Sequence, residues 1–91
     1  MFVLNGQELE AQLISDGFSG IFVHRDSPNA FYPEHTHCGI TAHIILEGDI
    51  TVTSEGQTVT YKTGDRFDVP SGEVHSASIG PNGCRYMIGE K

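Results

Sequence analysis

From residue 18 onward, apolar and polar side chains alternate with a period of two. Phe18, Gly20, Phe22 and His24 fall on one face, Ile21 and Val23 on the other. Such alternation marks a half-buried strand. Further extended segments cover 30–36, 42–46, 50–54, 58–62, 66–69, 74–79 and 85–88. Between them lie turn signals: Ser27-Pro28-Asn29, Glu47-Gly48-Asp49, Thr63-Gly64-Asp65, Pro70-Ser71-Gly72 and Gly80-Pro81-Asn82-Gly83. Glu55-Gly56-Gln57 reads as a hairpin turn. Short strands at this spacing predict an all-β sandwich or a small antiparallel β-barrel of about six to nine strands. Ahead of them, Leu9, Leu13 and Ile14 have weak helical spacing over 7–15, with Asn5 as a possible cap. That segment is a short N-terminal helix or an irregular lead-in.

A chain of 91 residues fits one domain, residues 1–91. Its 37% of hydrophobic residues exclude disorder as the main state. No apolar run approaches the ~20 residues of a membrane helix. The start, Met1-Phe2-Val3-Leu4-Asn5-Gly6, lacks a secretory-signal pattern. The 12 acidic residues against 5 basic ones give a net charge of −7. That argues against nucleic-acid and anionic-membrane partners. Two cysteines, Cys38 and Cys84, are too few for a disulfide framework and stand in no C-x-x-C pair. Reduced thiols and a cytoplasmic location are expected.

The chemistry-bearing residues are the histidines: His24, His35, His37, His43 and His75. His35 and His37, two apart on an extended segment, present both imidazoles to one side. Two imidazoles can hold a divalent metal from that side. A third ligand must come from elsewhere, and His75, just past the Pro70-Ser71-Gly72 turn, is the candidate.

The segment from Gly64 to His75, with Pro70 and Gly72 between, fits G-x5-P-x-G-x2-H in full. It resembles the second motif of the cupin superfamily, here about 64–79. The first motif, G-x5-H-x-H-x3,4-E-x6-G, is met by Asn29, His35-Thr36-His37, Thr41 and Gly48, about 29–48. The resemblance implies a small single-domain cupin, a jelly-roll barrel of the double-stranded β-helix type. Three positions depart from the pattern. Asn29 stands for the first Gly and tolerates the same left-handed turn. Ile79 stands for an Asn. Thr41 stands for the Glu that normally adds a carboxylate ligand, and a Thr hydroxyl does not replace that charge.

The resemblance therefore implies a divalent transition metal (Fe, Zn, Ni, Mn or Cu) held by His35, His37 and His75. His43, two residues after Thr41, should face the same way and is a possible fourth ligand. Imidazole suits several of these ions. Some cupin-type dioxygenases use three histidines. Neutral ligands leave the full charge on the ion, which favours an anionic ligand. Thr41, Phe22 and Tyr86 are candidates for the substrate-pocket wall. The expected partners are a small-molecule ligand and, as cupins commonly pair, a second copy in a homodimer. The expected activity is that of a metal-dependent enzyme, a dioxygenase, isomerase or lyase. The alternatives are a non-catalytic module binding a metal or small molecule, and a metal-free cupin. His24 reads as lying outside the metal shell, Arg66 as a local salt-bridge partner, and Cys38 as a buried or half-buried inert thiol.

Overall fold

The computed structural model describes residues 5–91. Residues 1–4, part of the segment read for a leader pattern, lie outside the described residues. The order is α1 (Gly6–Ser15), β1 (Ser19–Asp26), β2 (Phe31–His35), β3 (Thr41–Ser54), β4 (Gln57–Lys62), β5 (Arg66–Val69) and β6 (His75–Glu90). No described helix is long and apolar enough to cross a membrane.

The short helix forms where the weak spacing allowed it. Asn5 caps it, its Oδ1 accepting from the amides of Gln7 at 3.0 Å and Glu8 at 3.2 Å. Leu13 is fully buried against Phe18, Ala42, Ile44, Leu46 and Met87. Burying a leucine this completely contributes about 2 kcal/mol. Tertiary packing thus holds a helix whose own amphipathicity is slight.

Two long strands organise everything else. The first half of β3 pairs with β5 and with the second half of β6. The second half of β3 pairs with β4 and with the first half of β6. β1 flanks the later part of β6, and β2 flanks the earlier part. All pairings are antiparallel. The result is two antiparallel layers, β1-β6-β3-β5 and β2-β6-β3-β4, that share both long strands. This is a small all-β jelly roll. Among the described residues, hydrogen bonding does not run round it as a closed cylinder: β1, β2, β4 and β5 are edges.

The turn signals at 47–49 and 80–83 do not end strands. They are the places where β3 and β6 bend from one layer into the other. The β3–β6 register shifts between Ile45 and Glu47 and again between Gly48 and Ile50. Such bulges bend a strand without breaking it. Gly48 has φ of +77° and faces Cys84 across the ladder. A Cβ on Gly48 would lie 2.0 Å from the Gly83 carbonyl oxygen. Elsewhere the turns fall as the pattern predicts. Glu55 and Gly56 both take positive φ in the two-residue β3–β4 hairpin. Asn29 takes φ of +63°.

Two apolar clusters result. One lies under α1. The other fills the space between the layers and contains Ile45, Ile50, Ala77, Ile79, Cys84 and Tyr86.

Gly48→Ala is expected to cost about 3 kcal/mol or more, combining left-handed strain with overpacking against the neighbouring backbone. Gly6→Ala, where no atom of the described residues lies within 4 Å of the new Cβ, should stay within about 0.5 kcal/mol. Urea denaturation of the two variants measures the difference.

Candidate functional site

A cavity of about 120 Å³ opens between the layers, lined by Tyr32, His35, His37, His43, Ile50, Val52, Phe67, His75, Ala77, Tyr86 and Ile88. The cavity is open to solvent on one side.

Three histidines converge at this cavity. One ring nitrogen each from His35, His37 and His75 lies within 4.8 Å of the other two. Ring centroids are 4.2 Å apart for His35–His75 and 5.0 Å for the pairs involving His37. Each arrives by a different local device. His35 ends β2, opposite His75 at the start of β6. A register shift between Tyr32 and His35 turns both of those side chains inward. His37 lies beyond the strand, in the loop 36–40. The motif turn holds that loop: the Gly72 amide donates to the His37 carbonyl at 3.0 Å, and the Gly39 amide donates to Ser71 Oγ at 3.0 Å. The P-S-G spacing thus sets His37 beside His75.

The tautomers of two of the rings follow from their partners. A carbonyl only accepts, so His35 Nδ1–H donates to the Pro33 carbonyl at 2.7 Å, and His75 Nδ1–H donates to the Glu73 carbonyl at 3.1 Å. Both Nε2 lone pairs are left for the cavity, the arrangement that orients metal-binding imidazoles. Burial, then the neighbouring His75 and His35, lowers the proton affinity of His37; Glu90 acts in the opposite sense. A low proton affinity keeps the ring neutral, as metal binding needs. The three residues therefore fit a nitrogen-preferring divalent ion.

His43 lies outside this group, although it lines the same cavity. It stacks on Phe67 at 4.4 Å with 4° between the planes. Burial, with His37 next, lowers its pKa to about 4. Its Nδ1 has no hydrogen-bond partner among the described residues. Tyr86 lines the cavity. Thr41 is buried but not among the lining residues, and its Oγ1 also lacks a partner.

Phe22 does not line the cavity. β1 is an edge strand, and Phe22 stays 51% exposed although it pairs with the cavity residue Ile88. The strict alternation of 18–24 also fails. The β1 register shifts between Ser19 and Phe22, and Phe18 packs with Ile21 in the cluster under α1. Cys38 is exposed, because it belongs to the His37 loop rather than a strand; Cys84 is buried, and both are free thiols. Arg66 bonds Asp68 and Asp16, as a local partner should.

Sequence reasoning missed Asp26. This carboxylate is 7% exposed at the end of β1. Tyr86 donates to it at 3.0 Å, Tyr32 donates to its other oxygen, and His24 Nε2 lies 2.9 Å away. Burial first, then Asp26, raises the pKa of both tyrosines. Their hydroxyl protons are committed to Asp26 and are not free for a ligand. Alternation from His24 was the available signal, since it puts Asp26 on the same face.

Asp26→Ala would strand two tyrosine hydroxyls, at about 1–3 kcal/mol each. Adding Tyr32→Phe and Tyr86→Phe should recover part of the loss in thermal unfolding. The pKa of His43 gives a second expectation. It falls from 6.5 to about 4 on folding. As pH drops, the unfolded chain binds this proton first, so stability falls from pH 6.5 to about 4 and this contribution then levels off. The loss is about 3 kcal/mol. His43→Gln should remove that part of the pH dependence in urea titrations of metal-free protein.

The model of a family described as "Cupin domain" matches residues 22–86. No curated protein matches. Solved structures of similar fold include a structural-genomics protein of unknown function from Rhizobium leguminosarum, with TM-score 0.74, 20% identity, and coverage of 99% of this chain and 97% of that one. A cupin superfamily protein from Desulfitobacterium hafniense has TM-score 0.70 and 20% identity, over 77% of this chain and 63% of that one. The DMSP lyase DddQ from Ruegeria pomeroyi has TM-score 0.69 and 22% identity, over 78% of this chain and 37% of that one. The chain thus spans less than two thirds of the latter two proteins. With the jelly roll, the motif turn and the family match over 22–86 in agreement, this chain belongs to the cupin family.

Proposed function

We propose that the chain binds one divalent transition metal through His35, His37 and His75 and uses it to act on a small organic molecule. The observation that carries this reading is the convergence of three imidazole nitrogens within 4.8 Å at a cavity. When bound, such an ion supplies Lewis-acid polarisation of a ligand atom and, as iron, chemistry with dioxygen.

The chain's own residues set the limits. Three neutral imidazoles leave the ion's charge uncompensated within the group, which favours an anionic group beside it, from a ligand or from the chain. Ile50, Val52, Phe67, Ala77 and Ile88 give the cavity apolar walls, and a ligand that displaces water from them would strengthen such contacts. The cavity's size fits a small molecule. A three-histidine dioxygenase is the most concrete version. Isomerase or lyase chemistry uses the same residues, and one protein of similar fold is named a lyase. Fold alone assigns none of these.

A second reading is a binding module without turnover. One observation favours it: no carboxylate lines the cavity among the described residues, and both tyrosine protons are held by Asp26. Acid–base work would then fall to the histidines.

Elemental mass spectrometry on protein purified without chelator should find about one metal ion per chain. His35→Ala with His75→Ala should lose that metal while keeping the far-UV dichroism of a β-protein. Retention of stoichiometric metal by the double variant, or none in the wild type after reconstitution, would overturn the reading. Turnover of small anionic oxygen- or sulfur-containing compounds by the loaded protein separates enzyme from module.

A further inference from the structure

The cupin pattern has a carboxylate where this chain has Thr41. Thr41 pairs directly with Glu90 on β6. Directly opposed residues of an antiparallel pair present side chains to the same face, with Cβ atoms about 5 Å apart. That face is the inner one. Ile88, two residues before Glu90, lines the cavity and pairs with His43, another lining residue. Gly89, between them, faces the other way: a Cβ there would meet Ile21 and Phe18 at 3.2 Å and Leu13 at 3.7 Å, on the helix side. Glu90 therefore stands on the cavity side, exposed.

The surrounding backbone is well held. Ile40 and Lys91 exchange two hydrogen bonds, of 2.8 and 2.9 Å, so pairing continues past Glu90. Those bonds tie β6 to the loop that carries His37. Thr41 itself is buried, and its Oγ1 has no hydrogen-bond partner among the described residues, at the strand position that usually carries the acid.

We propose that Glu90 supplies, from the neighbouring strand, the carboxylate that position 41 lacks, and that it offsets the charge of a metal held by His35, His37 and His75. This rests on the metal-binding reading above. The carboxylate stands outside the histidine group in the structure, and it engages by rotation of an exposed side chain. The anion has moved across the ladder by one strand instead of being lost. The field of Glu90 already reaches His37.

The test is Zn(II) affinity of the full chain, by competition with a chromophoric chelator. Glu90→Gln should bind Zn(II) about tenfold more weakly or worse, the usual loss when a supporting group is removed. Thr41→Glu in the Glu90→Gln background should restore most of the affinity. Glu10→Gln, exposed on α1, should bind as the wild type does. Unchanged affinity in Glu90→Gln would overturn the proposal. So would a loss that Thr41→Glu does not repair, because it would mark a structural effect. A wild type that takes up no Zn(II) would instead overturn the metal-binding reading itself.

Discussion

At Gly48 and Gly83 two backbones pass with no room for a side chain between them, and the arrangement of the molecule depends on that passage. β3 and β6 can each serve two layers only because both bend at the same level. The bend puts His43 and Ile45 in one layer and Ile50 and Val52 in the other, along a single strand. It does the same in β6, where His75 and Ala77 belong to one layer and Tyr86 and Ile88 to the other. The cavity is the space enclosed between the two arms. A side chain at Gly48 would push those arms apart, and the histidines brought from β2 and β6 would move with them.

The site inherits its order from hydrogen bonds that are not themselves chemical. Backbone carbonyls of Pro33 and Glu73 orient His35 and His75. The motif turn at 70–72 clamps the loop that carries His37. Beneath the apolar part of the cavity, Asp26 fixes the two tyrosine rings by their hydroxyls. A buried carboxylate is costly unless its lone pairs are satisfied, and here two phenols and one imidazole satisfy them. The division of labour is clear. The histidines face the ligand, and the carbonyls, Ser71 and Asp26 keep the histidines and tyrosines in place.

Much of this was legible in the residues, for physical reasons that can be named. Period-two alternation and Gly/Pro punctuation located the strands, because a pleated chain must alternate and must turn where left-handed backbone is cheap. The G-x5-P-x-G-x2-H spacing pointed to His75, since the turn it encodes is the clamp seen in the structure. What was not legible depends on register. The shift between Ser19 and Phe22 breaks the face assignment of 18–24, and edge position exposes Phe22; neither leaves a mark on local composition. The bends at 47–49 and 80–83 look like chain reversals in sequence, because the same glycines serve a turn or a bulge. Neither Asp26 nor Glu90 stands out in the sequence as a site residue. Only cross-strand pairing puts one beside two tyrosines and the other beside Thr41.

The account turns on three imidazoles meeting one ion, and X-ray absorption at the metal edge of the loaded wild-type protein tests that most directly. The account predicts a first shell of nitrogen and oxygen at about 2 Å with the outer-shell scattering of about three imidazole rings. A shell containing sulfur, or one with a single imidazole or none, would contradict it, since the ion would then lie away from His35, His37 and His75.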